Sequence, residues 1–156
     1  MSTIASLTAD LKIRAPLTQD NPAGTIPGDM DILFQLSNTL GPKRHYKTYT
    51  IAASSAQSLD LASALADGFG TALTFSTVKF IAVQNLSTSA TAAATVERPA
   101  NGVPFLSAAG TVPCNPGFIW MNKAGTTVTA STGDLIAINN SDASASADIR
   151  VLIVGT

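Results

Sequence analysis

Apolar and polar residues alternate in short stretches along this chain, and turn-forming residues separate these stretches. Residues 46–51 alternate aromatic or aliphatic side chains with polar ones, as a half-buried strand does. Residues 78–86 form the clearest candidate for a central strand. Residues 148–156 are rich in Val and Ile, and we expect them to be paired inside a sheet, because an unpaired apolar strand invites aggregation.

Other segments extend this pattern. Residues 59–65 fit a strand if Ser63 faces inward, although their Ala and Leu content would suit a helix, and we favour the strand. A polar turn between residues 78–86 and 91–96 predicts a hairpin. Two prolines in residues 111–117 predict an edge strand or a strand entry. Residues 67–70 predict a turn, and further strands are expected at residues 31–36, 118–121, 126–130 and 134–139.

These strands and turns predict an all-β fold, an antiparallel β-sandwich, within which we favour a jelly roll. Helix is expected at most as a short turn near residues 62–69. Residues 1–30 differ from the rest because they contain Pro16, Pro22 and Pro27 and only one alternating stretch. We therefore divide the chain into an extended N-terminal arm, residues 1–30, and a single sandwich domain, residues 31–156.

The amino-acid composition indicates a surface that contacts other proteins. Charged residues make up 12% of the chain, about half of the roughly 25% found in soluble domains. A sparsely charged surface protects poorly against association, so we expect a homo-oligomer. The net charge of −1 argues against nucleic acid as a partner. No apolar stretch is long enough to span a membrane, and no secretory signal is evident, so we expect synthesis in a cytoplasm.

No set of residues in the sequence indicates a particular chemical reaction. Cys114 is the only cysteine and is expected to be a small buried hydrophobe. His45 lacks an accompanying nucleophile motif, and Glu97 is the only glutamate, so paired catalytic carboxylates are not indicated. Aspartates lack the spacing of a calcium loop. Trp120 and the phenylalanines are expected in the core. We predict no enzyme activity, no cofactor and no metal.

Two segments are candidate partner contacts. The first is a basic cluster that includes the single histidine. It admits two interpretations: a contact patch for an acidic partner surface or a sugar phosphate, or a solvated loop at the start of a strand. The second is the alternating stretch of the arm, which could add a strand to the exposed edge of a neighbouring subunit. The candidate residues are Lys43, Arg44, His45, Tyr46 and Lys47 in the cluster, and Leu11, Lys12, Ile13 and Arg14 in the arm.

Residues 46–156 resemble the small β-sandwich structural proteins of tailed bacteriophage virions. The similarity lies in a strand that ends in an Asn-containing turn at residues 78–85, in a Pro-Gly before an apolar strand at residues 116–120, and in the succession of residues 128–130, 134–140 and 149–156, which finishes in Gly-Thr. These residue types determine the course of the backbone and the packing of strands, and they do not indicate catalysis. The arm of residues 1–30 is not part of the resemblance.

The resemblance implies a location in the virion, assembled in the host cytoplasm. It implies a capsid decoration or cement protein that binds the major capsid protein or another virion protein through symmetric contacts. A trimer is expected, since trimers suit the local threefold axes of an icosahedral shell. Two alternatives stay open: a protein of the tail, neck or fibre, and, less favoured, a carbohydrate-binding module.

Overall fold

Antiparallel strands account for the regular structure in the computed structural model, which describes residues 10–17, 28–35, 41–63, 65–88 and 93–156. No helix occurs in these residues, so the predicted all-β class is confirmed. Within them the strands are β1 (Asp10–Leu17), β2 (Gly28–Gln35), β3 (Lys43–Ile51), β4 (Ser55–Asp60), β5 (Leu65–Ala66), β6 (Ala72–Leu73), β7 (Thr77–Asn85), β8 (Ala94–Glu97), β9 (Thr111–Pro113), β10 (Gly117–Thr127), β11 (Leu135–Asn140) and β12 (Ala147–Gly155).

Two four-stranded antiparallel sheets form the sandwich. The first has the order β10-β7-β12-β3 and the second the order β4-β11-β8-β9. Apolar residues from both sheets share one core cluster, which includes Ile81 and Val151 of the first sheet and Val96 and Ile138 of the second. Burial of the two facing apolar surfaces is the main source of stability in this arrangement.

The alternation of residues along β12 shows how the sequence directs its packing. Ile149, Val151 and Ile153 are fully buried, whereas the alternate residues Asp148 and Arg150 are exposed. β12 lies between β7 and β3, as expected for residues 148–156, and β7 itself lies between β10 and β12. The predicted central position of residues 78–86 is therefore confirmed.

The predicted hairpin between residues 78–86 and 91–96 is wrong. β7 pairs with β10 and β12, whereas β8 pairs with β11 and β9 in the other sheet. Val83 and Val96 are both buried in the common core. An apolar face can be covered by a strand across the core as well as by a neighbour in the same sheet, and the local pattern does not distinguish the two.

Three further predictions concern the positions where strands end or lie at an edge. The strand predicted at residues 59–65 stops at Asp60, whose carboxylate accepts hydrogen bonds from the backbone N–H groups of Ala62 (2.9 Å) and Ser63 (3.1 Å) and so forms a turn. Residues 118–121 and 126–127 form one strand, β10, with a register shift between Met121 and Thr126, while residues 128–130 lie beyond it. β9 is an edge strand, as its proline predicted.

The N-terminal strands pair with each other. β1 and β2 form a two-stranded antiparallel sheet with eight residues in each strand. The stretch expected to be a strand in the arm is contained in β1. Residues 31–35 of the next predicted strand belong to β2, and residue 36 is outside the described residues. The boundary predicted at residue 30 falls inside β2, and the division into arm and sandwich stays a prediction.

Gly155 provides a test of the packing at the end of β12. A Cβ atom at this position would collide with the backbone carbonyl oxygen of Thr77 in β7. We expect Gly155→Ala to lower the free energy of unfolding by about 1–3 kcal/mol, because the backbone must shift to admit the methyl group. Urea denaturation followed by fluorescence measures this change.

Gly68→Ala is the matched control for this substitution. No atom lies within 4 Å of a Cβ built on Gly68, so its free energy of unfolding should stay within about 0.5 kcal/mol of the wild type. Equal losses in the two variants would show that the close approach of Gly155 to β7 has no energetic consequence.

Candidate partner-contact surface

The basic cluster lies on an edge strand. Residues 43–47 begin β3, which pairs with β12 on one side and with no other strand in the described part of the chain. These residues therefore form a strand rather than a solvated loop. The reason is that His45 and Ile51, on the core-facing side of β3, are both buried and hold this segment against the sandwich.

His45 is 2% exposed, and both of its ring nitrogens are hydrogen-bonded. Nδ1 lies 2.7 Å from the carbonyl oxygen of Ala66, which can only accept, so Nδ1 carries the proton. In the neutral ring Nε2 then accepts a hydrogen bond of 2.9 Å from the hydroxyl of Tyr49. This pairing ties β3 to β5 and gives His45 a structural role.

Protonation of His45 should destabilise the fold. Burial lowers the pKa of His45 below its usual 6.5; the hydrogen bond to Ala66 opposes this shift, and the charge of Lys47 adds to it. Besides His45 and Lys47, the titratable side chains among the residues that line the same groove are Tyr46, Tyr49 and Asp67. Because the unfolded chain binds this proton more readily, stability is complete above about pH 6.5 and is lost as the pH falls from there through the lower pKa of the folded state.

Thermal unfolding between pH 8 and pH 5 measures this effect. His45 is the only histidine, and no other side chain normally titrates between pH 5 and 6.5. The melting temperature of the wild type should fall in that window, whereas His45→Asn should start lower and stay flat. A wild-type melting temperature that does not change between pH 8 and pH 5 would contradict the assignment.

A groove of about 320 Å³ opens beside this histidine. Its lining combines aromatic, charged and apolar groups. The ammonium of Lys47 lies 4.9 Å from the ring centroid of Tyr49, within the range of a cation–π interaction. Tyr46 is 52% exposed at the same surface. Among the residues that line the groove are His45, Tyr46, Lys47, Tyr49, Leu65 and Asp67.

The turn between β5 and β6 displays an aromatic side chain. The carboxylate of Asp67 accepts hydrogen bonds from the backbone N–H groups of Phe69 (2.8 Å) and Thr71 (2.9 Å), and the N–H of Asp67 donates to the carbonyl of Thr71 (2.8 Å). These bonds hold the turn in one conformation. Phe69 at its tip is 87% exposed. Because interface anchors are often aromatic side chains, Phe69 is a candidate contact residue of this surface.

The second candidate segment is in another sheet. Leu11, Lys12, Ile13 and Arg14 lie on β1, where they face register positions of β2 such as Phe34 and Asp31. The two candidate segments therefore do not share a ladder. The structure brings the basic cluster together with residues 65–70, a neighbour that the sequence did not indicate.

The remaining candidate residues occupy the core. Cys114 is fully buried, as predicted, and burial raises the pKa of its thiol to about 11. Trp120 is half-buried and packs edge-on to Phe105 at 6.2 Å between ring centroids. In the described residues no group of three His, Cys, Asp or Glu side chains could hold a metal ion. No helix of that same part of the chain is long and apolar enough to cross a membrane.

No family model, curated protein or solved structure matches this chain. A functional assignment therefore depends on the geometry of this surface and on the sequence pattern. Sequence reasoning predicted the turn at residues 67–70, but the expectation that the phenylalanines lie in the core is wrong for Phe69, which is exposed at the tip of this turn. The signal was present, since an aromatic residue between two glycines of a tight turn has little chain around it to cover it.

Proposed function

We propose that this protein is a non-enzymatic structural protein of a bacteriophage virion, which decorates or cements the capsid through symmetric protein contacts. The observation that carries the proposal is Phe69, exposed on a hydrogen-bonded turn beside a groove and an open edge strand. Aromatic side chains of this kind dominate the energy of protein interfaces. The low charge of the chain and its resemblance to virion sandwiches support the same function.

The jelly-roll assignment is part of this proposal, and the strand order supports it. The eight strands of the two large sheets are β3, β4 and β7 to β12. Each connection between successive strands of this set crosses from one sheet to the other, except that from β8 to β9. A double-sheet jelly roll is an eight-stranded sandwich of two Greek keys, which is the architecture of many viral capsid domains.

A homotrimer is the assembly that we propose. Copies placed around a local threefold axis of a shell make the same contact three times, so each contact can be weak and still give a firmly bound assembly. Ser and Thr hydroxyls, abundant in this chain, can supply such contacts without charge. The partner in the shell is the major capsid protein or another virion protein.

Localisation on particles tests this function. Antibodies against the purified protein should label phage particles prepared from the strain that encodes it. Labelling spread over the head supports capsid decoration, whereas labelling confined to the tail, neck or fibres supports the alternative virion position. Absence of the protein from particles, measured by mass spectrometry, would overturn the proposal, and binding on a glycan array would then favour the carbohydrate-binding alternative.

The exposed aromatic side chain gives a second test. We expect Phe69→Ser to leave the melting temperature nearly unchanged, because Phe69 buries little surface. The same variant should reduce the number of copies per particle about tenfold, as loss of an interface anchor does. Quantitative mass spectrometry of particles measures this number. The control is Ala72→Ser, an exposed residue of the adjoining β6, and equal copy numbers in both variants would exclude Phe69 as an anchor.

A further inference from the structure

The N-terminal hairpin has two strands in the described part of the chain. β1 and β2 pair with each other, and neither belongs to the two large sheets. A two-stranded hairpin is marginally stable in water, since stability usually requires a third strand or a packed face. One edge of β2 is paired with β1, which leaves its other edge available to a further strand.

β3 is an edge suited to receive such a strand. It is nine residues long, it is paired with β12 alone in the described residues, and β5 approaches it through the His45 side chain rather than through a backbone ladder. Its sequence contains three cations, Lys43, Arg44 and Lys47, and no carboxylate. Pairing of this edge with the same edge of another copy would place like charges together, which is unfavourable.

β2 has the opposite charge. Its sequence contains Asp29 and Asp31 and no cation. The alternation of a strand places Lys43 and Lys47 on one face of β3. The β3 edge, which would repel the β3 edge of a second copy, is therefore complementary in charge to β2.

We propose that β2 of one copy adds to the β3 edge of a second copy. This inference rests on the homo-oligomer of the proposed function and names the contact that builds it. The addition extends the first sheet of the second copy from four strands to six. The order becomes β10-β7-β12-β3 of the second copy, then β2 and β1 of the first copy. Each copy then donates one hairpin and receives one, a head-to-tail contact that closes into a ring such as the trimer.

The connection between donor and acceptor along the chain permits exchange between copies. Residues 36–42 connect β2 to β3, and a chain of this length spans at most roughly 25 Å. Within one chain β2 is paired with β1 and not with the neighbouring β3. A second copy can therefore supply the strand while the hairpin stays intact.

Charge exchange between the two strands tests the contact. The acceptor variant carries Lys43→Glu and Lys47→Glu, the donor variant carries Asp29→Lys and Asp31→Lys, and the exchanged variant carries all four changes. A control with Lys123→Glu and Arg150→Glu has the same change in charge as the acceptor variant, at exposed positions of the sandwich. Sedimentation equilibrium of the full chain, at low and physiological salt, measures association.

The acceptor and donor variants should each associate at least about tenfold more weakly than the wild type, and the exchanged variant should return to within about threefold of it. The control should associate as the wild type does.

Association that is unchanged in the acceptor and donor variants, or a wild type that is monomeric, would overturn the inference. A lower melting temperature at unchanged mass, restored in the exchanged variant, would show that β2 pairs with β3 of its own chain and would also overturn it. Detection of the protein on particles is a separate measurement, so a failure here and a failure of the virion proposal are distinguishable.

Discussion

Replacement of Asn140 by alanine is expected to lower the free energy of unfolding by about 3–4 kcal/mol, since one buried side chain loses several hydrogen bonds together. The Asn140 side chain is fully buried at the end of β11. Its Nδ2 group, with two N–H donors, lies within hydrogen-bonding distance of three carbonyl oxygens, those of Ile51 (3.1 Å), Ala52 (3.1 Å) and Ala145 (2.9 Å), which share these donors. Its Oδ1 atom accepts from the backbone N–H of Asp142 (3.1 Å).

These bonds explain why the expected loss is large. Ile51 ends β3 in the first sheet, whereas Asn140 ends β11 in the second, so one side chain joins the two sheets. The alanine variant removes the buried hydrogen bonds to the carbonyl of Ile51 and from the N–H of Asp142, and each buried group left unsatisfied costs about 1–3 kcal/mol unless water reaches it. Urea denaturation with linear extrapolation measures the difference.

Asn139→Ala is the control for the same residue type on the same strand. Asn139 is half-buried, and its Nδ2 atom lies 3.3 Å from a carboxylate oxygen of Glu97. We expect this variant to lose at most about 1 kcal/mol. Similar losses at residues 139 and 140 would mean that the bonds of Asn140 between the sheets do not govern stability.

Deletion of residues 2–40 is expected to abolish the proposed oligomer and to leave the melting temperature of the sandwich nearly unchanged. The described core cluster extends from Ile51 to Ile153, so the truncated chain retains it. The deletion removes β1 and β2 together, because a shorter deletion of residues 2–27 would leave β2 without its partner. Sedimentation velocity and thermal unfolding measure the two outcomes.

Deletion of residues 2–9 is the matched control, since it leaves both strands of the hairpin in place. This variant should associate as the full chain does. If the chain that lacks residues 2–40 fails to fold, the N-terminal segment is part of the core. If it folds and associates with the affinity of the wild type, the segment does not anchor the assembly.

Local patterns predicted the strands well and their partners poorly. The segments at residues 46–51, 78–86, 134–139 and 148–156 were all found as strands, because alternation of apolar and polar residues is a property of each segment by itself. The hairpin predicted between residues 78–86 and 91–96 failed. Val83 and Val96 need only an apolar environment, which the opposite sheet supplies as well as a neighbouring strand.

The candidate surface was predicted in part. The basic residues of β3 stood out in the sequence, but two interpretations of them were open, and the structure replaced the loop with an edge strand. The burial of His45 could not be predicted, because it depends on Ala66, 21 residues away, and on Tyr49. Exposure of Phe69 likewise depends on which segments pack beside its turn.

The sequence by itself determined the all-β class, the location of most strands, the sparse surface charge and the burial of Cys114, since these depend on composition and on the two-residue period of a strand. Tertiary structure alone decided which strands share a sheet, that β3 has an open edge, that a groove forms beside residues 65–70, and that Asn140 joins the two sheets. Each of these depends on contacts between residues far apart in the chain, where many pairings satisfy the same local pattern and only the packing of the whole core selects one.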